Sequence, residues 1–459
     1  MLNYRVEEES FEKLLPSGSE DDQEIEQILR PYGIGVDCHS RFYAICMLVR
    51  QEERVVRHQR EAGASYCELL EAKEWAQLLL KKAGMNCEPL LYTCESTGPY
   101  HQPLIKAWGG APSIVNPLLA NPSRRKTDKL DARLLARHAI TGLWPLSYLA
   151  TQELMVLRML MRARNDARKQ ALRLSNQILN IMTIAGYPVS LYGSPRSPKC
   201  RGIIEDLVRG QVIANKEMPP FPFPPEVGEV VRSRYNDFDM AVAEQKACEF
   251  KAREWVKRNK FPAGTADQPC EVDGATLLKL LKTVPGIGDI SALLWMSEVG
   301  TPARFFSAKA VSAFAGCDPS LKVSAGKVTS HTRRGGNKRL HYTVFHAAMS
   351  LMSKATEPVG KWGVRLAARG IKGAYRKAAG AVARRIVCGL YYVHSKLEPF
   401  SYEKYTFEKH YDVKDTELAE LGLKKRTIAI LEKLGITRTT QLIDAAKSGL
   451  HRLEGVGPK

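Results

Sequence analysis

The spacing of apolar positions divides the chain into segments of different character. Residues 1–30 are polar and acidic, with one short helical stretch expected near Ile25–Leu29, and the segment reads as a solvated arm. From Tyr32 the pattern changes. Gly33–Val36 and Tyr43–Val49 are apolar runs around a polar break at Cys38–Arg41, which predicts a β-hairpin. A helix is expected over Cys67–Lys82 and short strands at Pro89–Thr93 and Pro112–Asn116. Asp128–Ile140 has helical periodicity, with Leu130, Leu134, Leu135 and Ala139 on one side. A hairpin followed by alternating helix and strand predicts an α/β domain over residues 31–149.

A long helix follows across Thr151–Ala185, apolar at Leu157, Leu160, Ala171, Leu174, Ile178 and Ile181 and arginine-rich elsewhere. Met218–Pro225, with five prolines, forms a stiff turn before a second helix over Glu226–Asn259. The pair predicts a helical hairpin or coiled-coil linker over residues 150–262. In residues 270–400 a mostly helical domain is expected. Within it Pro285-Gly-Ile-Gly288 joins two helical runs as in a helix-hairpin-helix, where Gly286 and Gly288 would let backbone amides approach a DNA phosphate. A related pattern closes the chain, so residues 405–459 read as a second module of that kind, with a small stabilising cap as the other reading.

Charge adds a partner. Lys and Arg number 68 against 49 acids, a net +19 with pI near 9.4. The first thirty residues hold nine acids and three bases, which leaves about +25 on the remainder. Such an excess attracts an acidic polymer, and its spread through domains favours nucleic acid over a lipid surface. Mean hydropathy is −0.26 and no apolar run approaches the roughly 18 residues of a membrane span. The opening MLNYRVEEESFEKLL lacks a basic region followed by an apolar one, so no secretory signal is expected. The ten cysteines show no C-x-x-C pair and read as reduced thiols. The expected place of action is the cytoplasm, at the bacterial nucleoid.

Four acids carry the candidate chemistry. Asp37 ends an apolar strand, Glu95 follows another, and Asp128 and Asp131 lie three apart on one helix, hence on one face. Acids at adjacent strand ends plus a helix-borne pair can converge on a hard divalent cation, Mg2+ or Mn2+. Two such ions suit a phosphodiester displacement. Singly, an acid after a strand is usually a turn residue, and Asp128 could simply cap its helix; the ordered set is more specific than its members. Arg124, Arg125, Lys126, Lys129 and Arg133 beside the pair suit a phosphate backbone.

Three stretches, GIGVDCHSRFYAICM, YTCESTGPYHQPL and NPLLANPSRRKTDKLDARLLARHAI, resemble the DEDD transposases of insertion sequences, the IS one-ten family. The resemblance implies a RuvC-like, ribonuclease-H-type first domain with metal-binding roles for Asp37, Glu95, Asp128 and Asp131. It also places Asn116 and Pro117 in the loop before the Asp pair. Residues 283–349 resemble the family's second, transposase domain. Gly316-Cys-Asp-Pro319 leads to Ser324-Ala-Gly326, and Arg333-Arg-Gly-Gly-Asn337 follows. By that match Ser324 is the nucleophile that joins DNA as a phosphoserine. Because Ala325 stands between the serine and Gly326, Ser320 and Ser330 are further candidates. Lys322, Lys327, Arg333, Arg334 and Lys338 would neutralise the phosphate as charge builds.

The reading is therefore a DNA recombinase of an insertion sequence, acting on double-stranded DNA by metal-dependent serine transesterification. The resemblance further implies a bridge RNA that chooses the DNA by base pairing, and a dimer or tetramer in which the acids of one protomer complete a site with the serine of another. Two alternatives stand beside it. A Holliday-junction-type nuclease would use the same acids with water as nucleophile. A non-catalytic nucleic-acid-binding protein would need none of them.

Overall fold

A computed structural model describes residues 5–10, 30–51, 54–86, 89–96, 98–115, 128–142, 147–213, 217–324, 327–333, 335–368, 373–403 and scattered positions from 417 to 441. Of residues 5–10, 54, 111, 128–130 and 319–333 it describes the backbone alone. The chain divides into two compact units, Met1–Ala150 and Thr151–Lys459.

The first unit is built on a mixed sheet. Its strands are β1 (Arg5–Ser10), β2 (Tyr32–Cys38), β3 (Phe42–Gln51), β4 (Arg54–Gly63), β5 (Leu91–Glu95) and β6 (Ala111–Val115). They lie in the order β1-β4-β3-β2-β5-β6. β2, β3 and β4 form an antiparallel meander, while β5 and β6 add in parallel to β2. The parallel additions need crossovers, supplied by α1 (Tyr66–Lys82) and α2 (His101–Trp108). These helices cover one face, where Ile34, Val36, Ile45, Met47, Tyr92 and Cys94 meet Leu69, Ala76, Leu80, Leu104 and Trp108. Trp108 Nε1 donates to Leu69 O at 2.8 Å, and Tyr43 donates to Tyr100 O at 2.6 Å, which ties α2 down.

The other face receives α3 (Asp128–Thr141), through Ala132, Ala136 and Ile140 against Ala44, Cys46, Leu48 and Val55. Gly33 and Gly35 make this contact close. A Cβ on Gly33 would lie 2.5 Å from Ala136 O and Ile140 N, and one on Gly35 would strike Ala136 N and Ala132 O. The helix backbone thus rests directly on β2.

In the second unit α4 (Gln152–Ile184) and α6 (Pro225–Arg258) form the long hairpin, each about 50 Å at 1.5 Å per residue. Ala171, Leu174, Ile178 and Met182 pack against Val231, Tyr235, Phe238 and Ala241, with α5 (Pro198–Val208) completing that core. A small hairpin of β7 (Lys260–Gly264) and β8 (Pro269–Asp273) leads to α7 (Gly274–Leu281) and α8 (Asp289–Val299). There follow α9 (Ala308–Phe314), a hairpin of β9 (Pro319–Ser324) and β10 (Lys327–Arg333), then α10 (Lys338–Lys354), α11 (Pro358–Ala367) and α12 (Ala374–Lys396).

Several expectations are corrected. The acidic arm is not wholly a solvated tail, because Arg5–Ser10 pairs antiparallel with β4. β4, α2, α5 and the two small hairpins were not legible as apolar runs. Glu95 closes its strand instead of following it. The helix near Ile25–Leu29 and nearly all of residues 405–459 lie outside the described residues.

Candidate active site

Alternation along β2 sorts the site. Ile34, Val36 and Cys38 point into the α1–α2 core, so Gly33, Gly35 and Asp37 face α3. The β2–β5 register pairs Gly35 with Thr93 and Val36 with Cys94. Asp37 and Glu95 are the next residues on the two strands, and they share the α3 face. Two strand residues advance about 6.6 Å and four helix residues about 6 Å, so the two backbones keep step. Gly33 meets Ala136 and Ile140, and Gly35 meets Ala132 and Ala136. The next step brings Asp37 to the level of the first turn of α3, residues 128–131.

The electrostatics agree with that placement. Burial raises the Asp37 pKa above the usual carboxylate value; His39 opposes this, and the charges of Asp131 and Glu95 add to the rise. Asp37 therefore lies within the field of both other carboxylates. His39 donates from Nε2 to Asp37 Oδ2 at 3.1 Å and stacks on Phe42 with ring centroids 4.8 Å apart. His39 was not among the residues singled out in the sequence. Only its place two residues after Asp37, in the hairpin turn, hinted at it. Beneath the acids the Cys38 thiol, hydrogen-bonded to Cys94 and buried, has its pKa raised well above the ordinary value, so it stays protonated.

Among the described residues, no group of three or more His, Cys, Asp or Glu side chains is assembled to hold a metal ion. Asp128 begins α3, with its side chain outside the description. The donor chemistry nonetheless fits a hard cation: half-buried carboxylates that repel one another gain from a shared positive charge. Arg124, Arg125 and Lys126 lie outside the described residues, and of Lys129 only the helical backbone is described.

In the second unit Ser324 is the last residue of β9, paired with Lys327 at the tip of the hairpin, and not part of an irregular loop. Ser320 and Lys322 lie on β9; Ser330 and Arg333 lie on β10; Arg334 lies outside the described residues. The base of the hairpin is fixed on both sides. Arg384 pairs with Asp318 at 3.1 Å on the entering side. On the leaving side Gly336 has φ +119°, and a Cβ there would approach Phe314 O and Gly316 N to 2.8 Å. Asn337 then donates its amide to Phe314 O, caps α10 through Oδ1, and donates from Nδ2 to Glu298 Oε2 at 2.8 Å.

Glu298, 3% exposed on α8, also receives both arms of Arg162 from α4, at 3.0 and 3.1 Å. Burial works against its charge, but Arg162, Asn337 and Arg158 outweigh burial and hold its pKa below the ordinary value. The arginines of α4 are thus largely spent inside the protein. Arg158 donates to Ser297 O and Arg164 to Glu249. The Gly286–Gly288 turn divides in role. Gly286, at φ +80°, sits against Leu351, so packing requires it, whereas Gly288 opens onto free space. Lys338 is exposed at the start of α10.

A mixed sheet bearing acids at neighbouring strand ends, joined to a helical region, is consistent with a ribonuclease-H-like domain of DEDD type. Residues 34–186 match the DEDD transposase family of IS110 type, and residues 278–361 match the family described as Transposase IS116/IS110/IS902, together just over half of the chain. The chain belongs to the IS110 family of DEDD transposases and is an enzyme acting on DNA. No curated protein matches it. Among the described residues no helix is long and apolar enough to cross a membrane.

Proposed function

We propose that this transposase cuts and rejoins the DNA of its insertion sequence through Ser324, with Asp37, Glu95, Asp128 and Asp131 as a divalent-metal centre on a RuvC-like domain. The placement of Asp37 and Glu95 at adjacent strand ends, facing the helix that carries Asp131, supports this most directly. Mg2+ or Mn2+ held by these carboxylates would stabilise charge on the attacking and leaving oxygens.

In the proposed step Ser324 Oγ bonds to phosphorus as one backbone P–O bond breaks. The serine proton is lost, and the released strand end carries away a hydroxyl. Attack by another strand's hydroxyl reverses the step and restores the backbone without loss of a phosphodiester bond. Lys322, Lys327, Arg333, Arg334 and Lys338 supply positive charge along the hairpin and its base. Gly288, open at the start of α8, and Arg124, Arg125, Lys126 and Lys129 contribute phosphate contacts, whereas Gly286 serves the packing of its turn. A bridge RNA would choose the DNA sequence, and the active form would be a homo-oligomer.

The test is recombination between two plasmid-borne junctions in the presence of Mg2+ and RNA transcribed from the element's flank. Recombinant product with the parent chain, abolished by chelation and by Ser324→Ala, supports the proposal. Nicked or linear DNA without recombinants, insensitive to Ser324→Ala, would assign a nuclease using water.

A further inference from the structure

Beside the base of the serine hairpin, the exposed side of α10 carries four rings in two ladders. His341 and Phe345 stack with centroids 5.6 Å apart and planes 21° from parallel. Tyr342 and His346 lie 4.1 Å apart. With Gly335, Gly336 and Lys338 these rings line an open groove of about 470 Å³, within the usual size of a small-molecule site. Arg168 of α4 lies over the Tyr342 ring, with its guanidinium 4.9 Å from the ring centre.

Such a surface is unusual for an exposed helix face. Tyr342 is 47% exposed, and Gly335, Gly336 and Lys338 are exposed as well. A protein face needing only solubility would carry charged, flexible side chains at these positions, whereas this one offers flat rings bordered by cations. Flat rings beside Lys and Arg complement a flat base attached to a phosphate. An acidic peptide would match the cations but leave the rings unused, and an aliphatic partner would leave the cations unpaired.

We infer that this groove binds an unpaired nucleotide, its base laid on the Tyr342–His346 ledge and its phosphate beside Lys338. The inference rests on the reading of the chain as an enzyme acting on DNA, and it adds a subsite for a single-stranded segment apart from Ser324 and the acids. Double-helical DNA keeps its bases stacked inside, so this subsite selects strands that are already open. The same chemistry is offered by an unwound DNA strand and by a loop of RNA.

The test uses the full chain with short single-stranded DNA and RNA oligonucleotides carrying 2-aminopurine, whose fluorescence falls when it stacks. Anisotropy on a duplex of the same length provides the comparison. The parent chain should quench the probe. Tyr342→Ala should remove the quenching and weaken single-strand binding roughly tenfold, the scale of one base–aromatic stack. Tyr342→Phe should keep both properties, and Lys338→Ala, an exposed change, should weaken binding while sparing the quenching. Duplex binding should change less than twofold in the two Tyr342 variants, which also shows that each is folded. The tighter of the two single strands identifies the source. Equal quenching by the parent chain and Tyr342→Ala, or none by the parent chain despite duplex binding, would overturn the inference alone. Failure to bind any nucleic acid would overturn the functional reading with it.

Discussion

At the residue scale, Asp37 and Glu95 end neighbouring strands on the face that meets α3, and Asp131 on that helix adds its charge to theirs. Asp37, Glu95, Asp128 and Asp131 stand out because an acid at the end of an apolar strand breaks a pattern. Nothing in the sequence alone separates a ligand from a turn residue; the shared face of β2 and β5 and the field of Asp131 narrow the choice for Asp37. His39 escaped notice because a histidine in a turn has no periodicity to violate. Placing carboxylates together works against the fold, so their removal should cost no stability. Asp37→Asn, which can still accept from His39, should reduce DNA strand cleavage by about 100-fold or more while the melting temperature holds or rises. Cleavage assays and calorimetry on one preparation check both parts.

His394 gives a second residue-level prediction. It is fully buried, receives the Trp295 N–H on Nδ1 at 3.2 Å and donates from Nε2 to Pro262 O at 3.1 Å. Burial lowers its pKa to about 4, with the Pro262 contact opposing. The folded state thus holds the neutral ring, whereas the unfolded chain binds a proton near pH 6.5. The stability contributed is complete above pH 6.5 and is lost as pH falls towards 4, a loss on the order of 3 kcal/mol. In His394→Gln this part of the decline should vanish, which chemical denaturation at pH 7, 5.5 and 4 will show.

At the scale of elements, long amphipathic helices and the first hairpin could be read from spacing, with ends off by a residue or two. β4, with Arg54, Arg57, His58 and Arg60, hid because its polar side chains mask the alternation. The hairpin of β9 and β10 hid because glycine and serine near its tip look like loop residues. The leucines of α3 also drew more attention than its alanines, although Ala132 and Ala136 seat it on Gly35 and Gly33. Gly35→Ala should therefore lift α3 from the sheet, destabilising the first unit by about 3 kcal/mol and lowering activity together with it. Asn337→Ala removes the cap of α10 and one partner of buried Glu298. A loss of about 1–2 kcal/mol is expected from denaturant titration, with recombination reduced further than stability because the hairpin base is loosened.

At the scale of the whole molecule, charge was the most informative single quantity and also the one most easily misassigned. The net +19 pointed to nucleic acid, yet arginines of α4 that add to it are engaged with Ser297, Glu298 and Glu249. Surface charge and structural charge cannot be told apart in a sequence, since both are arginine on a helix. The division at Ala150 puts the acids and the serine in different compact units, and the family match spans both. The proposed role of Ser324 is covalent chemistry on DNA. Its most direct test is a denaturing gel of labelled junction DNA incubated with the protein, Mg2+ and flanking RNA. The account predicts a labelled protein adduct that survives denaturation and is absent from Ser324→Ala. Cleaved ends without any adduct, equal in parent and Ser324→Ala and lost in Asp37→Asn, would contradict it.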